Sequence, residues 1–194
     1  MLTAAHCISS GGNASYPNYP NVGTVASGSE ENWSPVYGTQ YYTGQSVYRG
    51  DVALIRYTSL SSGPYIYSGA PHTSTHSGVA AMASRKAQLG DSACINGVVT
   101  GLWCGTVTAT GSNIWYAGDG PNVWARNVDE SFAFGSLCPT HGDSGAPVYR
   151  TRDDGNVVAL GVWSGSLPTG LTCYAFFTDI RDSWTALPGY LKVL

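Results

Sequence analysis

At 194 residues, with 43% hydrophobic and only 11% charged side chains, the chain has enough apolar content for one substantial core or two small ones and is no disordered tail. A formal charge of −3 without any run of Lys or Arg excludes the electrostatic footprint of a nucleic-acid binder and an anchor for anionic membranes. No stretch approaches the roughly 20 apolar residues needed to cross a bilayer, and the abundance of Gly, Ser, Thr, Tyr and Asn suits an extracellular β-protein better than a helical one.

In chain order, short β-branched and aromatic runs predict strands at Ser46–Tyr48, Asp51–Tyr57, Val98–Leu102, Gly105–Thr110, Ala146–Arg150, Val157–Val162 and Tyr174–Thr178. Between them lie turn signals, among them Gly11-Gly12-Asn13, Gly118-Asp119-Gly120 and Asp153-Asp154-Gly155-Asn156, the last flanked by strands as a hairpin would be. The tail from Asp179 to Leu191 has spacing compatible with a short helix, with Asp179 as its N-cap and Pro188-Gly189 as its stop. The texture changes near residues 68 to 90, where Ser, Thr, His, Gly and Pro crowd together. A domain boundary is placed there, dividing the chain into residues 1–75 and 76–194. No internal repeat is evident. The N-terminus lacks the basic-then-apolar pattern of an export signal.

Three segments carry chemistry. Gly142-Asp143-Ser144-Gly145 sets a serine between glycines, whose backbone freedom permits a tight turn that exposes the hydroxyl and aims N–H groups at a developing oxyanion. A hydroxyl alone is a poor nucleophile and needs a base. Thr3-Ala4-Ala5-His6-Cys7 offers an imidazole among small residues. That imidazole needs a carboxylate to orient it, and Asp51 is a charge set where an apolar strand begins, so its burial calls for a partner. Taken singly, the glycine-flanked serine reads as a surface turn, His6 as a structural or exposed histidine, and Asp51 as a strand cap. Their joint occurrence in the order His, Asp, Ser makes coincidence the weaker account.

With these residues in view, the chain resembles the trypsin/chymotrypsin family of serine proteases. Leu2-Thr3-Ala4-Ala5-His6-Cys7, Asp51-Val52-Ala53-Leu54-Ile55 and Gly142-Asp143-Ser144-Gly145-Ala146-Pro147-Val148 carry the likeness, which covers essentially the whole chain. The resemblance implies an all-β fold of two six-stranded antiparallel barrels, the first incomplete, with a short C-terminal helix. It implies Ser144 as nucleophile, His6 as general base and acid, Asp51 as orienting carboxylate, and the N–H groups of Gly142 and Ser144 as oxyanion hole. Ser164-Gly165-Ser166 matches the segment that pairs with an extended substrate, His141 lies near the cleft mouth, and Trp163 would either narrow the primary pocket or simply pack into the core. Cys138 falls where trypsin-like enzymes carry their pocket-floor aspartate, so small or medium apolar side chains are expected before the scissile bond. No metal or cofactor is implied, and the partners are peptide or protein substrates acting on a monomer.

The five cysteines, an odd count, form no CxxC or Cys/His cluster. Their placement resembles the secreted bacterial branch, the streptogrisins and α-lytic protease, which implies disulfides Cys94–Cys104 and Cys138–Cys173. By chain entropy, loops of about 11 and 36 residues contribute roughly 3 and 4 kcal/mol. Such bonds suit an oxidising, extracellular setting. The likeness begins almost at the histidine, which implies that Met1 is an internal start, that the strands ordinarily preceding it are absent, and that Cys7 has lost its partner. Where the bacterial branch has an arginine to pair with the buried aspartate next to the nucleophile, this chain has Ile95, so a freed N-terminus is expected to be the cationic partner of Asp143. Two rival readings stand beside the protease: a silent homologue binding peptides through the same cleft, and a Tyr- and Trp-rich carbohydrate-binding β-module, which leaves the His, Asp and Ser segments unexplained. The triplets Asn13-Ala14-Ser15 and Asn32-Trp33-Ser34 match a glycosylation site, while His72 and His76 read as solvated loop residues.

Overall fold

The computed structural model describes residues 1–7, 13–16, 19–25, 50–57, 63–116, 123–135 and 137–194. The strand expected at Ser46–Tyr48, the turns at residues 11–12 and 118–120 and the triplet at Asn32 lie outside them. The N-terminal part is an antiparallel sheet in the order β1 (Leu2–Thr3), β4 (Ala53–Tyr57), β3 (Tyr19–Val25), β2 (Asn13–Tyr16). A short 3-10 turn, Ala5–Cys7, follows β1.

The remaining strands are β5 (Tyr65–Tyr67), β6 (His76–Met82), β7 (Ser92–Gly97), β8 (Gly101–Tyr116), β9 (Val123–Phe134), β10 (Pro147–Thr151), β11 (Val157–Thr169) and β12 (Thr172–Asp179). They run β10-β7-β8-β9-β12-β11, and β10 pairs back onto β11, so six strands close on themselves and leave no open edge inside the ring. β6 joins β11 as a parallel pair and carries β5 on its far side. β5, on the N-terminal side of residue 75, is thus hydrogen-bonded into the second sheet.

Inward alternation fills the ring with Ile95, Trp103, Val107, Val148, Leu160, Trp163 and Phe177, all nearly inaccessible to water. Each such side chain is worth about 1.5–3 kcal/mol of burial. Two disulfides brace this half, Cys94–Cys104 across the β7–β8 pair and Cys138–Cys173 onto β12, while Cys7 is exposed and forms none.

The segment Val98–Leu102, read from its β-branched residues as a strand, is mostly a reversal. Gly97 faces Gly101 across the β7–β8 pair, leaving residues 98–100 to make the turn. β6 was hidden in what reads as a linker. The helix α1 spans Ile180–Ala186, shorter than the span to Leu191, because Leu187 precedes Pro188 and is held extended at φ −109°, ψ 147°. Asp179 caps it, its side chain accepting a hydrogen bond from Arg181 N at 2.6 Å.

Candidate active site

β1 and β4 bring the first two residues together. Leu2 pairs with Leu54 and Thr3 with Ala53, so the chain running on from β1 reaches His6 just as the antiparallel partner runs back to Asp51. His6 N donates to Asp51 Oδ1 at 2.9 Å, and His6 Nδ1 lies 2.6 Å from Asp51 Oδ2. The carboxylate is fully buried, which removes competing water from both contacts.

Asp51 is held from the other half of the molecule as well. Ser164 Oγ donates to Asp51 Oδ2 at 2.6 Å, and Asp51 N donates to Thr178 Oγ1 at 2.7 Å. Gly50, at φ +112°, lies so close to Thr178 that a Cβ there would sit 2.1 Å from its methyl group. Thr178 is a residue that sequence reasoning missed, since nothing local distinguishes it from the other threonines of a β-protein. Ser164, read as part of the substrate strand, turns its side chain inward to Asp51.

Ser144 arrives on the turn between Cys138 and β10. Its Oγ is 2.9 Å from His6 Nε2, completing a continuous line of hydrogen bonds Asp51–His6–Ser144. Gly142 (φ +94°) and Gly145 (φ +87°) take left-handed conformations that side chains disfavour. A Cβ on Gly145 would stand 2.4 Å from Thr3 Oγ1, so the two halves meet in near contact here. No hydrogen bond among the described residues uses the N–H of Gly142 or of Ser144.

Burial by itself lowers the pKa of His6, but the hydrogen bond to Asp51, a hydrogen bond with Cys7 and the charge of Asp51 outweigh it and hold the imidazole above its ordinary 6.5. Asp143 is bonded by backbone amides. Asp143 Oδ1 accepts Val99 N at 2.7 Å and Thr100 N at 3.2 Å, while Oδ2 accepts Thr140 N at 3.0 Å. Among the described residues no cation reaches it, and the amine of Met1 donates to Ile55 O.

The side chain of Trp163 packs into the core. It is 2% exposed and belongs to the interior of the strand ring, with Ala146 and Cys173 in the same cluster. Ser166 Oγ instead reaches across to Pro139 O at 2.5 Å, linking the segment 163–166 to the segment before Ser144. Gly165 is buried, and His141 is exposed beside the serine turn. Beyond Trp163, β11 pairs with β12 through Gly165 and Ser166, and the other edge of these two residues has no strand partner among the described residues. No group of three His, Cys, Asp or Glu among the described residues is arranged to hold a metal.

A family model of trypsin-like peptidase domains matches residues 1–160. No curated protein sequence matches. Among solved structures, Cellulomonas bogoriensis chymotrypsin is similar at 25% identity, covering 95% of this chain and 81% of its own, with a TM-score of 0.63. Thermobifida fusca protease A is similar at 26% identity, over 95% of this chain and 79% of its own, with a TM-score of 0.62. A glutamic-acid-specific serine protease that uses a histidine triad in substrate binding shares the fold, at 24% identity, 95% and 82% coverage and a TM-score of 0.64.

Proposed function

As the chain belongs to the family of trypsin-like peptidase domains, we propose that it is a secreted serine endopeptidase that cleaves peptide bonds through an acyl-enzyme, with Ser144, His6 and Asp51 as its catalytic residues. The observation that carries this reading is the unbroken hydrogen-bonded line from Asp51 through His6 to Ser144.

Ser144 Oγ attacks the scissile carbonyl while His6 Nε2 takes its proton. The carbonyl oxygen, now negative, receives the N–H groups of Gly142 and Ser144, which have no other partner among the described residues and so stand ready for that charge. His6 then gives the proton to the leaving amine, and the acyl group stays on Ser144. Water, deprotonated by His6, attacks the acyl carbon and frees the acid and Ser144. Asp51 holds the Nδ1–H tautomer throughout and stabilises the imidazolium, itself fixed by Ser164 and the Thr178 contact.

The edge of Gly165–Ser166 turned away from β12, without a strand partner among the described residues, suits an extended peptide that adds as a further strand after Ser164. The Ser166–Pro139 bond ties together the two segments that would flank the residue before the scissile bond, which supports a preference for small or medium apolar side chains there. His141 stands exposed beside this cleft to meet substrate. Two disulfides on the described chain support export to an oxidising compartment.

The test is hydrolysis of a panel of peptides differing at that position, together with labelling by a fluorophosphonate probe. Wild-type protein should be labelled at Ser144 and prefer small apolar residues, and Ser144→Ala should lose both labelling and hydrolysis. A protein that is never labelled is a silent homologue, and a tenfold preference for Arg would overturn the specificity.

A further inference from the structure

The Gly142–Gly145 turn is shaped by its one buried carboxylate, and that carboxylate is held by a neighbouring β-turn. Asp143 is 2% exposed, and its side chain reaches out of its own segment into the reversal between β7 and β8. Two consecutive amides there, Val99 and Thr100, converge on Oδ1, while Thr140 N closes the local turn on Oδ2. Amide-to-carboxylate hydrogen bonds are roughly twice as strong as neutral ones, and two donors aimed at one oxygen leave it little freedom.

The reversal is built to admit this carboxylate. A Cβ on Gly97 would lie 2.1 Å from Asp143 Oδ1 and 2.2 Å from its Cγ, so only glycine leaves the space that Asp143 fills. Gly97 sits in a strand without a left-handed φ, and its need for glycine is therefore steric rather than conformational. On the opposite side a Cβ on Gly142 would meet Val99 Cγ2 at 2.9 Å, so the same turn also abuts Gly142.

The reversal is in turn braced. Cys94–Cys104 crosslinks the β7–β8 pair behind it. Asn96 Oδ1 accepts Gly69 N at 2.6 Å, Leu102 N donates to Gly69 O at 2.8 Å, and His72 N donates to Val98 O at 3.2 Å. The amides of residues 99 and 100 are thus presented by a frame tied on both sides.

We propose that the Gly97–Gly101 reversal is the positioning element of the oxyanion-binding turn, its Val99 and Thr100 amides doing for Asp143 what a cation would otherwise do, so that the turn is competent without proteolytic release of an amine. This rests on the serine-protease reading. Positioning through Asp143 acts on Gly142 and Ser144, which meet charge only in the transition state, so loosening it lowers kcat and leaves KM nearly unchanged.

Three variants, each compared with a fluorophosphonate-reactive wild type, test the proposal. Gly97→Ala thrusts a methyl group into Asp143 and should lower kcat about 100-fold, the scale of a lost oxyanion donor, with KM within about twofold. Val98→Ala, in the same turn but without a bond to Asp143, should behave as wild type. Replacing Val99 by its α-hydroxy acid converts one amide to an ester, deletes the 2.7 Å donor without altering any side chain, and should lower kcat about tenfold in a folded protein. An uncleavable N-terminal extension should leave kcat unchanged. Wild-type kcat in both the folded Gly97→Ala and ester proteins, or activity that appears only after N-terminal cleavage, would overturn the inference while leaving the protease reading intact. A wild type that is not labelled overturns both.

Discussion

Asp51 illustrates how much of a catalytic residue lies outside its own neighbourhood. It comes from the N-terminal half, yet one of its oxygens is shared between His6 and Ser164, and its amide is held by Thr178. Ser164→Ala removes one hydrogen bond to a buried charge, worth about 1.5–3 kcal/mol, part of which is felt in the transition state. The expected outcome is a roughly tenfold fall in kcat with the triad residues still present, measured by steady-state hydrolysis.

The raised pKa of His6 has its own consequence. Hydrolysis needs the neutral imidazole, so kcat/KM should climb through a midpoint above 6.5 as pH rises, and Asp51→Asn, which removes the raising cause, should move that midpoint down as well as lower kcat, by about 10⁴-fold. Stability runs the opposite way. A group whose folded pKa is raised contributes fully below 6.5 and loses that contribution as pH rises through the folded value. A midpoint at or below 6.5 in the wild type would contradict the pairing.

Between elements, the tightest constraint on the site is where β1 ends against the serine turn. Gly145 and Gly170 both have positive φ, but a Cβ on Gly170 meets nothing within 4 Å, whereas on Gly145 it collides with Thr3. Comparing Gly145→Ala with Gly170→Ala therefore separates backbone strain from the inter-element clash. Both should lose about 1–2 kcal/mol of stability from strain, read by denaturant unfolding, and Gly145→Ala alone should lower kcat by tenfold or more. At the same scale, the failure of Val98–Thr100 to form a strand has a physical source. Val98, Val99 and Thr100 have high β-propensity, but the amides of Val99 and Thr100 find their acceptor in a carboxylate 44 and 43 residues away rather than in a ladder. β6 was obscured for a related reason. Its residues from His76 to Ala81 are small or polar apart from Val79 and so carry little β-branched signature, and its pairing with β11 comes from distant sequence.

Across the whole molecule, the second half is a closed ring of strands with charge buried against it. Asp129 on β9 is 5% exposed, accepts Gly111 N at 3.1 Å, and faces Asp179, Asp182 and the nearby Lys86. Burial, reinforced by the neighbouring carboxylates, raises its pKa to about 7. The folded state thus holds a proton that the unfolded chain releases near pH 4, so this contribution to stability is complete below that value and is lost as pH rises to about 7. Thermal unfolding followed from pH 4 to 8 should show that decline, and Asp129→Asn should flatten it; an unchanged slope would refute the assignment.

The amino-acid sequence by itself determined the fold class, the family and the three segments that bear His6, Asp51 and Ser144, because each rests on short-range patterns: alternating β-branched runs, glycines around a serine, an acid at the head of an apolar strand. Only the tertiary structure decided what surrounds them. That Ser164 and Thr178 brace Asp51, that Trp163 faces the core, and that turn amides hold Asp143 all depend on contacts between segments from 43 to 127 residues apart. Hydrogen-bond donors of many kinds satisfy a buried carboxylate equally well, and which one is within 3 Å is a property of how the strands close, not of the residues on either side of the acid.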